Sequence, residues 1–215
     1  MRELKYKHTE NSRTMQGKRL LANMDACKIE LKYELNKLFN MFDQAIKKTN
    51  WIMSQINPIA RRNGQEAINL QGCFAENVFR EFGSSAKNGK NGRLILTVKG
   101  YIILFKKLDT KGLPMNIRTE NTKKINNQAI QLSLFSDNEN SEAPILYFGY
   151  QKNKLGEYVD PRIVYIDEER VRFTIDAQQA GYIPNLFSTY SDDPIDNEKA
   201  APVLKNKIKS KFKGN

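Results

Sequence analysis

The sequence has few of the residues on which metal and histidine chemistry depend. Its 215 residues include one histidine, His8, and two cysteines. Histidine-based acid–base catalysis, Ser-His-Asp and Cys-His arrangements and zinc sites therefore lack their usual side chains. Cys27 and Cys73 have neither a metal-binding spacing nor the pattern of a disulfide framework. We expect no metal site, no cofactor and a location in the reducing cytoplasm.

Long hydrophobic runs are also absent. The longest purely apolar run extends from Tyr101 to Phe105, which is far too short to cross a bilayer. The charged segment from Met1 to His8 lacks the apolar stretch of a secretory signal. We therefore expect no membrane partner.

Positive charge is in clear excess, with 35 Lys and Arg against 24 Asp and Glu and a net charge of +11. Clustered cations release the counterions condensed on a phosphate backbone, so this excess predicts nucleic acid, and DNA in particular, as a partner. If the basic residues meet on one face, they would form a surface that follows the backbone. The alternative is a solvated surface with a disordered basic tail. The predicted nucleic-acid-binding residues are Arg61, Arg62, Lys87, Lys90, Arg93, Lys106, Lys107, Lys205, Lys207, Lys209, Lys211 and Lys213.

Residues 1–83 are predicted to form a helical region. From Leu20 to Ile56 the apolar residues recur at an alternating spacing of four and three, which predicts one long amphipathic helix. Its narrow stripe could pair with a second copy, giving a homodimer, or with the next helix of the same chain. Thr49 interrupts the stripe and favours the intrachain hairpin. The second helix is predicted to be capped by Asn63 and to stop at Gly83.

In residues 84–187 the sequence pattern changes from the helical spacing to the pattern typical of β-strands. β-branched and aromatic runs separated by short turns predict a small antiparallel meander of four or five strands. A loop is expected at 109–143, a flexible basic connector at 83–92 and a flexible basic tail at 188–215. The predicted fold class is therefore α+β.

One short motif points to a protein partner. Residues 131–135 read Gln-Leu-Ser-Leu-Phe, which resembles the pentapeptide by which many bacterial replication and repair proteins bind the β sliding clamp. The resemblance implies that Gln131 hydrogen-bonds at the rim of the clamp pocket, while Leu132, Leu134 and Phe135 fill a hydrophobic cleft. The same alternation is also typical of a half-buried strand, in which case these side chains would belong to the core.

A weaker pattern suggests metal-dependent phosphodiester cleavage. Asp109 and Lys111 have the acid-x-lysine spacing of the PD-(D/E)xK nucleases, which this outline resembles, and Glu81 or Glu76 could supply a further carboxylate for Mg²⁺. The segment Asp109–Gly112 reads more naturally as a turn.

These observations predict a DNA-associated, non-catalytic accessory or regulatory protein of a bacterium, phage or mobile element, held to DNA by its positive surface and able to bind the clamp through residues 131–135. The alternatives are a Mg²⁺-dependent nuclease of a defence or restriction system, and a protein-binding inhibitor or adaptor that acts through the long helix.

Overall fold

The computed structural model describes residues 17–89, 92–117, 119–129 and 142–183. All of them lie in the first of the two units into which the chain divides, Met1–Pro184 and Asn185–Asn215. The predicted tail at 188–215 lies outside the described residues. The described elements are, in chain order, α1 (Met24–Glu30), α2 (Lys32–Ser54), α3 (Gln65–Phe82), β1 (Ala86–Gly89), β2 (Arg93–Val98), β3 (Tyr101–Lys107), α4 (Glu120–Asn126), β4 (Ile145–Lys152), β5 (Tyr158–Asp167) and β6 (Arg170–Asp176).

The predicted long helix begins later than its apolar stripe and is divided in two. Asn23 caps α1 by accepting hydrogen bonds from the amides of Asp25 and Ala26, which fixes the start at Met24 instead of Leu20. At Leu31 the backbone leaves helical geometry, with φ −97° and ψ 10°. The prediction of one uninterrupted helix from Leu20 was therefore wrong, although α1 and α2 follow one another directly.

The apolar stripe of α2 is used inside the chain. Leu35, Leu38, Phe42, Ala45 and Thr49 are all 0–1% exposed. α2 packs against α3, where the rings of Phe42 and Phe74 meet edge to face with centroids 5.7 Å apart. The predicted intrachain helical hairpin is thus present, and this stripe has no free surface left for a coiled-coil homodimer.

The two ends of α3 were predicted with different success. Gly83 follows the helix, as predicted, with a positive φ of 51°, although its ψ of −124° is not that of the left-handed cap that was expected. The start differs, because Gly64 occupies the cap position with φ 80° and no side chain caps the helix. The predicted Asn63 cap was wrong, and the Glu66 side chain instead pairs with Lys152, with the Oε2 and Nζ atoms 2.7 Å apart.

The described strands form one sheet in the order β1-β2-β3-β4-β5-β6. Every neighbouring pair is antiparallel except β3 and β4, which are parallel. The prediction of a wholly antiparallel meander was wrong at this junction. The connection between β3 and β4, within which a loop was predicted at 109–143, contains α4 and carries the chain back to the end of the sheet where β3 began.

The connector at 83–92 also differs from the prediction, because β1 lies within it and pairs with β2 from Ala86 to Gly89. The Lys99-Gly100 pair forms a tight hairpin between β2 and β3, with φ 49° and 78° at the two residues. Positive φ at both central residues is the geometry that matches the twist of the flanking strands.

The sheet is covered on both faces. One face, here called the helix face, packs against α1, α2 and α3 through residues such as Phe148. The opposite face, here called the crossover face, carries Tyr147 and packs against α4 through Ile125. Leu108 lies directly over Gly149 on the crossover face, where a Cβ atom at residue 149 would come within 2.4 Å of the leucine side chain. Tyr147 and Phe148 point to opposite faces, as predicted for neighbours on a strand.

Candidate anion-binding site on the crossover face

Three of the predicted nucleic-acid-binding residues lie on the crossover face. Lys87 on β1 stands opposite Ile95 on β2, and Ile95 belongs to the core of this face. Arg93 lies two residues before Ile95, and Lys106 lies two residues after Leu104, another member of that core. Because side chains two apart on a strand point to the same face, the sheet places all three cations on one side.

Arg93 and Lys106 lie on neighbouring strands, each two residues beyond the last recorded pair of β2 and β3, Ile95 with Leu104. The same register continued by two residues would set them opposite each other, where Cβ atoms are typically about 5 Å apart. Both residues are partly buried. Burial lowers the pKa of Lys106, and the charge of Arg93 lowers this pKa further. Two like charges side by side in a partly desolvated position repel each other, which is unfavourable unless an anion is bound.

Among the described residues, no Asp or Glu side chain forms a salt bridge that would offset the positive charges of Arg93 and Lys106. The salt bridges of that part of the chain join other cations to their acids, and none includes Arg93 or Lys106. Lys87 differs in having an interaction partner of its own. The two uncompensated neighbours are therefore Arg93 and Lys106, and we call them the cation pair.

Tyr147 and Asn126 supply polar groups close to the cation pair. The Tyr147 ring is almost completely buried, and its hydroxyl donates a hydrogen bond to Oδ1 of Asn126 at 2.9 Å. Burial raises the pKa of Tyr147, and the nearby charge of Arg93 opposes that rise. Tyr147 belongs to the core of the crossover face, the same side of the sheet as the cation pair, and its hydrogen bond places Asn126 there too. The cationic, hydroxyl and amide groups of this face are of the kinds that recognise phosphate oxygens.

The other predicted basic residues that the structure describes lie away from this face. Arg61 closes the end of α2, donating from Nη2 to the carbonyl of Met53 at 2.7 Å and from Nε to that of Ile56 at 3.1 Å. Arg62 is exposed in the turn before α3. Lys107 lies next to Lys106 on β3 and so points to the helix face. Lys90, Lys205, Lys207, Lys209, Lys211 and Lys213 lie outside the described residues.

The residues proposed for a nuclease centre have other partners. Oδ1 of Asp109 accepts hydrogen bonds from the amides of Lys111 and Leu113, both at 2.8 Å, the arrangement of a turn-forming aspartate. The Glu81 carboxylate pairs with Lys37 at 2.7 Å. Within the described ranges there is no group of three or more His, Cys, Asp or Glu side chains that could hold a metal ion. No observation on these residues favours phosphodiester cleavage.

The clamp-like pentapeptide at 131–135 lies outside the described residues, but the chain on either side of it is described. The segment from Lys18 to Leu20 bonds to the described chain both before and after the pentapeptide. The amide of Arg19 donates to the carbonyl of Gln128 at 2.7 Å, and the amide of Leu20 donates to that of Glu142 at 2.9 Å. Lys18 forms an antiparallel bridge with Ala129. The points where the chain leaves Ala129 and returns at Glu142 are thus held by one short segment.

Two buried polar side chains fix this region, and sequence analysis missed both. Gln128 is fully buried; its Nε2 donates to the carbonyls of Ile145 and Ile166, at 3.0 and 2.7 Å, and its Oε1 accepts from the Ile145 amide at 2.9 Å. Arg19 is 2% exposed and donates from Nη1 to the carbonyl of Ala143 at 3.0 Å. Burial lowers the pKa of Arg19 to about 10. Neither residue belongs to an apolar period, so the sequence carries no signal that would separate a buried side chain from a solvated one at these positions.

Comparison of the chain with protein-family models, with curated proteins and with solved structures found no match. In the part of the chain that is described, no helix combines the length and the apolar character needed to span a membrane. Any functional conclusion therefore depends on the side chains themselves.

Proposed function

We propose that this protein is a non-catalytic, DNA-associated accessory or regulatory protein of a bacterium, phage or mobile element, which contacts phosphate groups with the crossover face. The observation that carries the proposal is the cation pair, Arg93 and Lys106, which no acid in the described chain compensates. Both cysteines are free and buried, which suits a reducing compartment, and the cytoplasm remains the predicted location.

A bound phosphate group would relieve the repulsion within the cation pair. A phosphate oxygen placed between a guanidinium and an ammonium group interacts favourably with both charges, and the partly buried position weakens the competition from water. The net charge of +11 attracts a polyanion from a distance. Because the described residues include no recognition helix of the known DNA-binding motifs, the proposed contact is with the nucleic-acid backbone.

The test is a salt titration of DNA binding. The variant Arg93→Gln/Lys106→Gln removes the cation pair, and the control Lys28→Gln/Lys32→Gln removes two charges from α1 and α2, which pack on the helix face. Labelled single- and double-stranded DNA are titrated at several salt concentrations. If both cations contact phosphates, the plot of log affinity against log salt for double-stranded DNA should be shallower for the variant than for the parent. The difference in slope should be about 1.8, since each contact contributes about 0.9. The control should keep the parent slope. Equal slopes for the two variants would refute the proposed face.

We propose clamp binding through residues 131–135 as a second interaction of the same protein. Its support is the pentapeptide match together with the fixed stems on both sides, because a segment whose ends are already held loses less entropy when it binds. Leu134→Ala/Phe135→Ala should abolish binding to a purified bacterial β sliding clamp. Ser136→Ala, just beyond the motif, is the matched control and should bind as the parent does. A parent chain that does not bind the clamp would eliminate this interaction without affecting the DNA proposal.

A further inference from the structure

The end of the helical hairpin where α2 meets α3 carries three large apolar side chains that are exposed to solvent. Trp51 in the last turn of α2 is 59% exposed, Ile59 in the connecting turn is 95% exposed, and Ile68 in the first turn of α3 is 70% exposed. The Asn69 side-chain amide donates to Sδ of Met53 at 3.4 Å, so these two helix ends lie side by side. We call Trp51, Ile59 and Ile68 the apolar tip.

The turn between the two helices is exposed along its whole length. All eight residues from 57 to 64 are exposed, and Ile59 is the most exposed large apolar side chain of the described residues. Apolar side chains in water are unfavourable, and a group of them at one place usually marks a surface that another molecule covers. The packing of the described chain gives no reason for an isoleucine at this position.

The sequence around the apolar tip is positively charged. No Asp or Glu occurs from residue 44 to residue 65, and this stretch contains four cations, Lys47, Lys48, Arg61 and Arg62. Glu76 offsets the charge of Lys48 at 2.8 Å, whereas no salt bridge between described residues includes Arg61 or Arg62. The Arg61 guanidinium donates to backbone carbonyls at the end of α2, which leaves its charge in place.

The acids that border this stretch are bound to other groups. Asp43 accepts a hydrogen bond from the Tyr182 hydroxyl at 2.7 Å, and Glu66 pairs with Lys152 at 2.7 Å. The end of the hairpin therefore combines exposed apolar side chains with an excess of positive charge, and its partner must offer both an apolar medium and negative charge.

An anionic lipid surface has both properties. Tryptophan is enriched where lipid headgroups meet hydrocarbon, aliphatic side chains gain free energy on leaving water, and cations are attracted to anionic lipids. Single-stranded DNA would suit the cations and the Trp51 ring, because bases stack on aromatic rings. It provides no apolar medium for Ile59 and Ile68, so the observations favour the lipid surface.

We infer that the apolar tip inserts into the interface of an anionic membrane, with Arg61 and Arg62 among the lipid headgroups. The expectation of no membrane partner came from the absence of a spanning run and of a secretory signal, and contact with the lipid surface needs neither of them. The inference does not depend on the proposed function, because the cation pair lies on the crossover face whereas α2 and α3 pack on the helix face.

Tryptophan fluorescence of the full chain tests the inference directly, because Trp51 is its only tryptophan. The chain is mixed with vesicles of phosphatidylcholine and phosphatidylserine, and separately with vesicles of phosphatidylcholine alone. With the mixed vesicles the emission should shift to shorter wavelength, because the indole ring leaves water. With the neutral vesicles the shift should be much smaller, since the attraction of the cations is lost.

Two variants separate the apolar from the charged contribution. Ile59→Ser removes a side chain with few contacts to lose within the chain, and it should weaken binding to mixed vesicles by about tenfold or more. Arg62→Gln should weaken it by about fivefold, the effect of one cation near anionic lipid. The matched control is Ile29→Ser on α1, because Ile29 is 77% exposed but lies close in sequence to Asp25 and Glu30. It should bind as the parent does.

Three results would overturn the inference. The first is unchanged Trp51 emission with mixed vesicles, even if the chain sediments with them, since other basic segments would then account for binding. The second is an equal effect of Ile59→Ser and Ile29→Ser. The third is an emission change with single-stranded DNA but none with vesicles, which would assign the tip to nucleic acid. Because the vesicle assay contains no DNA and no clamp, failure here is distinct from failure of the proposed function.

Discussion

Replacement of Gln128 tests the role assigned to the most buried polar side chain of the crossover connection. Its three hydrogen bonds join the connection to the first residue of β4 and to Ile166 of β5, where the β5–β6 register is irregular. Gln128→Met keeps the length of the side chain and removes all three bonds. At about 1 kcal/mol for each buried backbone group left without its partner, the free energy of unfolding should fall by about 3 kcal/mol.

The matched control is Gln151→Met, which removes a single bond from a partly buried glutamine to the carbonyl of Asp109. It should cost about 1 kcal/mol. Both variants are compared with the parent by urea denaturation followed by circular dichroism, with the slope of the transition checked for constancy. If Gln128→Met costs no more than Gln151→Met, the hydrogen-bond argument is wrong.

A charged variant separates loss of hydrogen bonds from loss of shape. Gln128→Glu places a carboxyl group against the carbonyl oxygens of Ile145 and Ile166, which disfavours the ionised form and raises the pKa of that carboxyl in the folded state. Stability relative to the parent should therefore be greatest below the unfolded pKa of about 4.3 and should be lost as pH rises through the folded pKa. A stability difference independent of pH would contradict the assigned contacts.

Three further predictions concern packing, charge and thiol reactivity. Gly149→Ala should reduce the free energy of unfolding by about 1–3 kcal/mol because its methyl group collides with Leu108, whereas Gly72→Ala, on an open position of α3, should raise it by about 1 kcal/mol in the same urea assay. Burial acts to raise the pKa of Glu66, but its ion pair with Lys152 contributes to a net lowering of that pKa; Glu66→Gln should cost about 0.5 kcal/mol at neutral pH, and this difference should vanish as pH falls below the ordinary value of 4.5. Burial raises the pKa of Cys27 to about 11, so at pH 8 the thiol should react with a chromogenic disulfide only after denaturation, and rapid reaction of the folded chain would show that the site is open.

The clamp-like peptide and the basic tail illustrate a limit of local reasoning. A five-residue match specifies which side chains would fill a cleft, but availability depends on how the surrounding chain is held. The structure contributes the stems at Ala129 and Glu142 and the segment that passes between them. The lysines from 205 to 213 stay a prediction from sequence, and the salt titration of the full chain measures their contribution together with that of the cation pair.

Sequence alone was sufficient for features that arise from contacts between near neighbours. The period of the apolar residues predicted α2 and α3, and the alternation of β-branched and aromatic residues predicted β2 to β6. Each of these depends on backbone preferences and side-chain spacing within a few residues. The stop at Gly83 belongs to the same class, because only the local φ angle decides it.

Tertiary structure decided what depends on residues far apart in the chain. The parallel pairing of β3 with β4 follows from a connection of more than thirty residues, whose path no local preference sets. The burial of Gln128 and the adjacency of Arg93 and Lys106 are consequences of strand register. A one-residue change of register would move a side chain to the other face of the sheet. The residue types that could bind an anion were therefore evident from the sequence, but only the folded sheet determined which two of them stand together without an acid.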